Sequence, residues 1–240
     1  MGDTANHTCR ISLPGDLREA EFVFRRNRFV GEIRLDGISE LAHVPSSGRM
    51  AELLCPGARI FVAPQHRPGT KLKYRILLAE HRDLLVSVDS LLPNRLIHRA
   101  LLNGFLPDLS AGGVVKREAA YGRGRFDFYL QETGRAGCYL EVKSVTLVEG
   151  GVALFPDAPS ERGARHLEEL AAARLEGYGA VVVFVIQRAD ALCFSPHRDR
   201  DPRFGEELSR AAQAGVEVLA LGCRVSLGEV TLGDPLPVRL

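Results

Sequence analysis

Polar and apolar positions change rhythm twice along the chain. Residues 1–19 are mostly polar and carry Pro14-Gly15, which predicts a poorly ordered leader. From Ala20 onward, short β-like runs succeed one another at residues 21–25, 29–35, 40–44, 58–63, 74–79 and 84–88. Turn formers separate them: Asp36-Gly37, Pro45-Ser46-Ser47-Gly48, Pro56-Gly57, Pro64 and Pro68-Gly69. Short strands at this spacing predict a small antiparallel barrel rather than a βαβ unit.

Around Asp89-Ser90 the period becomes helical. Leu91, Leu92, Leu96, Ile97, Ala100 and Leu101 recur on one face, and Gly104 offers a stop. This helix reads as the hinge between two domains. Strand-like runs then return at 114–119, 125–130 and 138–147. A helix follows over 160–176, with Ser160 as its N-cap and Gly177 and Gly179 as stops. The fully apolar run at 180–186 suits a strand covered on both faces. A helix at 204–214 and strands at 216–221 and 224–232 complete the pattern. The chain therefore reads as α/β (α+β): a barrel at 20–88, a connecting helix and linker at 89–112, and a mixed sheet flanked by helices at 113–240.

The chemistry concentrates in two of these strands. In Arg125-Phe126-Asp127-Phe128-Tyr129-Leu130, strict alternation puts Phe126, Phe128 and Leu130 on one face and Asp127 on the other. In Tyr139-Leu140-Glu141-Val142-Lys143, Glu141 and Lys143 share a face. A hairpin through Gly134 and Gly137 would bring Asp127 beside both. Two carboxylates and an ammonium within apolar strands are costly unless they pair or bind an ion. One reading is a site for Mg²⁺ or Mn²⁺ acting on a phosphodiester, with Lys143 orienting water or neutralising charge. The other is a salt bridge on the sheet surface.

Composition narrows the field. Of 31 basic residues only four are lysines, so each Lys is notable; the arginine excess itself reads as composition bias. The net charge of +1 confines any basic surface to a patch. Five scattered cysteines without a C-x-x-C pair point to a reducing cytoplasm and away from a thiolate zinc site. No apolar run is long enough to span a membrane, and no signal peptide or membrane partner is expected. No phosphate-binding glycine motif is present, so no nucleotide cofactor is expected.

Several separated motifs together resemble the sugar fermentation stimulation protein A (SfsA) family. They are Asn27-Arg28-Phe29, Gly48-Arg49-Met50, Pro56-Gly57, the Asp127 and Glu141-Val142-Lys143 strands, and Phe155-Pro156-Asp157 through His166. The resemblance implies an OB-like barrel followed by a domain similar to the PD-(D/E)xK (restriction-endonuclease-like) nucleases. It also implies non-specific DNA binding and a regulatory part in sugar (maltose) metabolism. On the nuclease pattern Asp127, Glu141 and Lys143 match the catalytic set, and Glu118 matches a further metal acid. The chain departs from the family at Pro45-Ser46-Ser47-Gly48, where Asn and Thr are usual, and at Gly124-Arg125, where Ser-Arg is usual.

Candidate nucleic-acid contacts are Arg25, Arg26, Arg28, Arg49, Arg125, Arg162 and His166, the last two sharing a helix face. Phe22, Phe24 and Phe29 interleave with the first arginines and read as core. Arg67, Lys71, Lys73 and Arg75 flank a Pro/Gly loop and could extend a basic rim. Asp157 reads as a turn acid, with support of the catalytic acids as the alternative. The expectation is a cytoplasmic protein that holds DNA by its phosphates, with a metal-dependent phosphodiesterase site. The alternative is a DNA-bound regulator whose acid cluster is non-catalytic. Homo-oligomerisation stays open.

Overall fold

The computed structural model describes residues 8–65, 69, 72–106, 109, 113–122, 124–131, 134 and 136–240. Arg67 and Lys71 of the expected basic rim lie outside these residues. The leader reading is corrected from Arg10 onward. Strand β1 (Arg10–Ser12) pairs antiparallel with the last strand, 219 residues away at its Arg10–Glu229 hydrogen bond. Residues 1–7 are not described.

The barrel is built from β2 (Arg18–Asn27), β3 (Val30–Leu35), β4 (Ile38–His43), β5 (Arg59–Pro64) and β6 (Tyr74–His81), with β7 (Leu84–Ser87) added outside β6. A short parallel pairing of Ala42 and His43 with Tyr74 and Arg75 joins β4 to β6 and closes the five strands on themselves. Phe22, Ile33, Leu53, Ile60, Val62 and Ile76 fill the interior. Closure removes the edges that a small open sheet would leave exposed.

The second unit runs α1 (Leu92–Leu102), β8 (Val114–Tyr121), β9 (Gly124–Gln131), β10 (Cys138–Val145), β11 (Leu147–Glu149), β12 (Val152–Phe155), α2 (Glu161–Leu175), β13 (Gly179–Ile186), β14 (Cys193–Pro196), α3 (Pro202–Gln213), β15 (Glu217–Val225) and β16 (Glu229–Pro235). Its main sheet has the order β1-β16-β15-β13-β10-β9-β8, with β10, β13 and β15 parallel at the centre. The apolar run of β13 is buried on both faces, as a central parallel strand requires. The short β11, β12 and β14 form a separate small sheet, and β12 and β14 were not legible in the periodicity.

Each face of the main sheet has its own core. Leu96, Ile97 and Ala100 of α1 pack on Leu140, Val142 and Val183. Leu167 and Leu170 of α2, with Phe204 and Leu208 of α3, pack on Val182 and Phe184. Helix α1 is therefore part of the second core rather than a free hinge. The two units also meet directly. Phe61 and Leu77 on the barrel's outside pack against Leu13, Leu17 and Val225. The Ser87 N–H donates to the Gln187 carbonyl at 3.1 Å.

Candidate active site

Asp127 stands where two strands part. The β9–β10 ladder runs from Leu130↔Cys138 to Phe128↔Leu140 and stops. Phe128 packs with the α1-side core, whereas Phe126 packs with the α2-side core. The expected single face for both is therefore corrected: the strand changes sides at Asp127. Glu118 on β8, opposite in register, has φ of +51°, so the irregularity spans both strands. With no β9 carbonyl to meet it, the Val142 N–H donates to Asp127 Oδ2 at 2.7 Å. Asn94 Nδ2 of α1 donates to the other oxygen at 2.7 Å. The side chain thus replaces a missing ladder acceptor, since buried N–H groups are nearly always paired.

Glu141 and Lys143 lie on regular β10 and face α2. Both are buried. Lys143 Nζ donates to Glu141 Oε1 at 2.7 Å, and His166 Nδ1 reaches the same oxygen at 2.5 Å. Arg162 Nε donates to His166 Nε2 at 3.3 Å. A guanidinium can only donate, so Nε2 accepts and the ring proton sits on Nδ1, facing Glu141. Burial alone pushes Glu141 up, but the charge of Lys143 and the His166 hydrogen bond outweigh it and bring the carboxyl down to about 2. Asp127 goes the other way. Burial first, then the charge of Glu141, raises it to about 6 against its two hydrogen bonds.

The expected metal set is corrected at Glu118. That side chain is exposed on β8, and among the described residues no group of three or more His, Cys, Asp or Glu converges as a metal site. Of the expected catalytic and metal residues, the structure brings together Asp127, Glu141 and Lys143. His166 is also reassigned: it is 3% exposed and orients Glu141, so it offers nothing to a nucleic acid.

The arginines divide. Arg25 is corrected from a phosphate contact to a scaffold. Its guanidinium donates to the carbonyls of Ser46, Gly48, Arg49 and Arg28 at 2.6–2.8 Å and so shapes the loop after β4. Arg26 is paired with Glu32 at 2.6 Å. Lys73 is paired with Glu40, and Arg75 with Asp89. Arg28, Arg49 and Arg125 are exposed and have no side-chain partner among the described residues. Arg162 is exposed beside His166. Phe22 is core as expected, but Phe24 and Phe29 are 45% and 48% exposed on the barrel surface.

Two residues gain importance that the sequence did not give them. Asn94 positions Asp127, and its only sequence signal is a polar residue in the first turn of an apolar helix. Asp157 Oδ2 accepts the Met50 N–H at 3.1 Å and so ties the barrel loop to the segment before α2. The same loop is held on its other side, where the Ser90 hydroxyl donates to the Pro45 carbonyl at 2.7 Å, just before α1. Loop 45–50 therefore lies between the starts of the two helices that position Asp127 and Glu141.

Comparison with known proteins agrees with this architecture. The model of the sugar fermentation stimulation protein RE domain matches residues 91–229, and that of the SfsA N-terminal OB domain matches 23–88. A sugar fermentation stimulation protein homolog of Desulforamulus reducens is 52% identical over the whole of both chains. One of Moorella thermoacetica is 43% identical, over 96% of this chain and 100% of its own. A solved structure described as Pyrococcus furiosus SfsA in complex with Ca²⁺ superposes with a TM-score of 0.89 at 31% identity, covering 96% of this chain and 98% of that one. With a closed OB-like barrel on an RE-type sheet and full-length relatives at this identity, the chain belongs to the sugar fermentation stimulation protein (SfsA) family.

Proposed function

We propose that this protein binds nucleic acid non-specifically through its phosphates and hydrolyses phosphodiester bonds at Asp127, Glu141 and Lys143 with Mg²⁺ or Mn²⁺. The carrying observation is geometric: a half-buried and a buried carboxylate from neighbouring strands, each fixed by dedicated partners, with an ammonium two residues from Glu141 on the same face.

The residues fit a hard cation. Asp127 and Glu141 offer only oxygen, and each Asp127 oxygen accepts one hydrogen bond and keeps a lone pair. On Glu141, Lys143 and His166 converge on Oε1 and leave Oε2 available. Two carboxylates suit Mg²⁺ or Mn²⁺, which keep waters and take a phosphate oxygen. The Ca²⁺ in the description of the Pyrococcus relative supports a divalent cation here by kinship. When bound, such an ion supplies Lewis acidity toward the phosphodiester and lowers the pKa of water.

The chain's own groups do the rest. Asn94 and the Val142 N–H orient Asp127, while His166 and Arg162 orient Glu141. Lys143 brings a compact charge on a flexible stem that can turn to an attacking water or to developing negative charge. Arg28, Arg49 and Arg125, all exposed, would hold phosphates without reading bases. The regulatory part in sugar metabolism implied by the family description is compatible with either a cutting or a merely binding protein.

Plasmid and oligonucleotide cleavage tests the reading. Cleavage is expected with Mg²⁺ or Mn²⁺, none with chelator, and none for Lys143→Ala. Equal cleavage by wild type and Lys143→Ala overturns it. The second reading, a DNA-bound regulator with a non-catalytic cluster, is favoured by the ion pair that Glu141 and Lys143 already make. Metal-dependent thermal stabilisation that Asp127→Ala abolishes, without any cleavage, would select it.

A further inference from the structure

A cavity of about 410 Å³ opens where the barrel, the segment after β1 and the first turn of α1 meet. That volume suits a small molecule, and junctions between domains are common places for one. Ser87 lines the cavity and is 1% exposed, yet its Oγ has no hydrogen-bond partner among the described residues. Arg75 lines it too. One arm of its guanidinium donates to Asp89 Oδ1 at 2.7 Å, but its Nε is buried without a partner among the described residues. Buried polar atoms are nearly always paired, so two orphans in one wall call for a cause.

The wall is rich in donors. Arg95, on the α1 side, is exposed and makes no side-chain hydrogen bond or ion pair among the described residues. The acidic member, Asp89, is already committed: its Oδ1 accepts from both Arg75 and the Leu91 N–H. Two guanidinium groups and a hydroxyl therefore face a single carboxylate. That balance favours an acceptor-rich, negatively charged guest, for which charge-assisted hydrogen bonds are strongest. Leu77 and Leu92 add apolar wall that suits a short carbon skeleton.

We propose that this junction cavity binds a small organic anion carrying a phosphate or carboxylate group, held by Arg95, Ser87 and Arg75. The site is separate from the acid cluster and independent of the nuclease reading. Calorimetry and thermal unfolding with inorganic phosphate, glycerol 3-phosphate and succinate as probes test it, and the three probes separate phosphate from carboxylate preference. Saturable binding is expected for at least one. Arg95→Ala should weaken it on the order of tenfold, the worth of one charge-assisted hydrogen bond. Ser87→Ala should weaken it while leaving the ligand-free Tm unchanged or higher, because it deletes an unsatisfied hydroxyl. A structural role for Ser87 would instead lower that Tm. Arg162→Ala should bind the probe as wild type does, which separates this cavity from the start of α2, where Arg162 lies. No saturable binding of any probe overturns the proposal. So does binding that survives Arg95→Ala and Ser87→Ala but fails in Arg162→Ala.

Discussion

His166 Nδ1 lies 2.5 Å from Glu141 Oε1, 25 residues apart in the chain and on different elements. This contact, with Lys143, holds Glu141 down at about 2 against the opposing effect of burial. A carboxyl lowered in the folded state stabilises the fold above its unfolded value, and that stability is lost as pH falls through the window from about 4.5 to 2. His166→Ala removes one donor. Its acid-unfolding midpoint should therefore rise, measured by circular dichroism against pH; an unchanged midpoint would show that Lys143 alone sets Glu141.

Lys143 and Glu141 are a buried pair. Removing one partner strands the other, so Lys143→Ala should cost about 3–5 kcal/mol in urea unfolding. Glu141→Leu combined with Lys143→Met should recover most of that loss, since neither charge is then left alone. Lys143→Arg should fold but lose cleavage, because a planar fork cannot turn as an ammonium does. Full cleavage by that variant would leave Lys143 a structural residue.

Asp127 is raised from an ordinary 3.8 to about 6, by burial first and then by the charge of Glu141. Between these values the folded protein holds the proton more tightly than the unfolded chain. Metal-free stability should thus fall as pH rises from about 4 to 6 and then level off. The drop should be on the order of 3 kcal/mol, at about 1.4 kcal/mol per pH unit of difference. Asp127→Asn should flatten it. Stabilisation by Mg²⁺ should grow over the same window, because metal and proton compete for one carboxylate.

A Cβ on Gly48 would stand 2.8 Å from Asp157 Oδ2. Gly48→Ala should push that carboxylate off the Met50 N–H, and Asp157→Ala should release the same bond. Each should cost about 1–2 kcal/mol, and the double variant should cost less than their sum. Both should weaken nucleic-acid binding through Arg49. Additive costs would mean that the two positions act separately.

Arg28, Arg49 and Arg125 are exposed without side-chain partners among the described residues, whereas Arg25 is spent on four carbonyls. Alanine at any of the first three should lower the salt slope of duplex DNA binding by about one unit while leaving stability unchanged. Arg25→Ala should lower stability instead. Fluorescence anisotropy across a salt series, paired with thermal unfolding, reads both; a slope unchanged in all three exposed variants would remove the barrel and β9 from the interface.

The sequence determined what depends on neighbours along the chain. Alternation and turn residues marked the barrel strands, the run at 180–186 marked a doubly covered strand, and Glu141-x-Lys143 put its two charges on one face because side chains in a strand repeat every two residues. What lay between elements was not legible. Alternation carried Phe126 and Phe128 to one face, but the break at Asp127 turned them to opposite cores, since the ladder itself stops there. The same break explains why an acid is needed at that position at all. Arg25 and Arg28 look alike in sequence, and only the folding of loop 45–50 around one of them separates scaffold from free cation. Asn94, Asp157 and His166 acquired their roles from partners at least 25 residues away. A hydrogen bond is set by angstroms in space, and no periodicity along the chain encodes which distant group will arrive to make it.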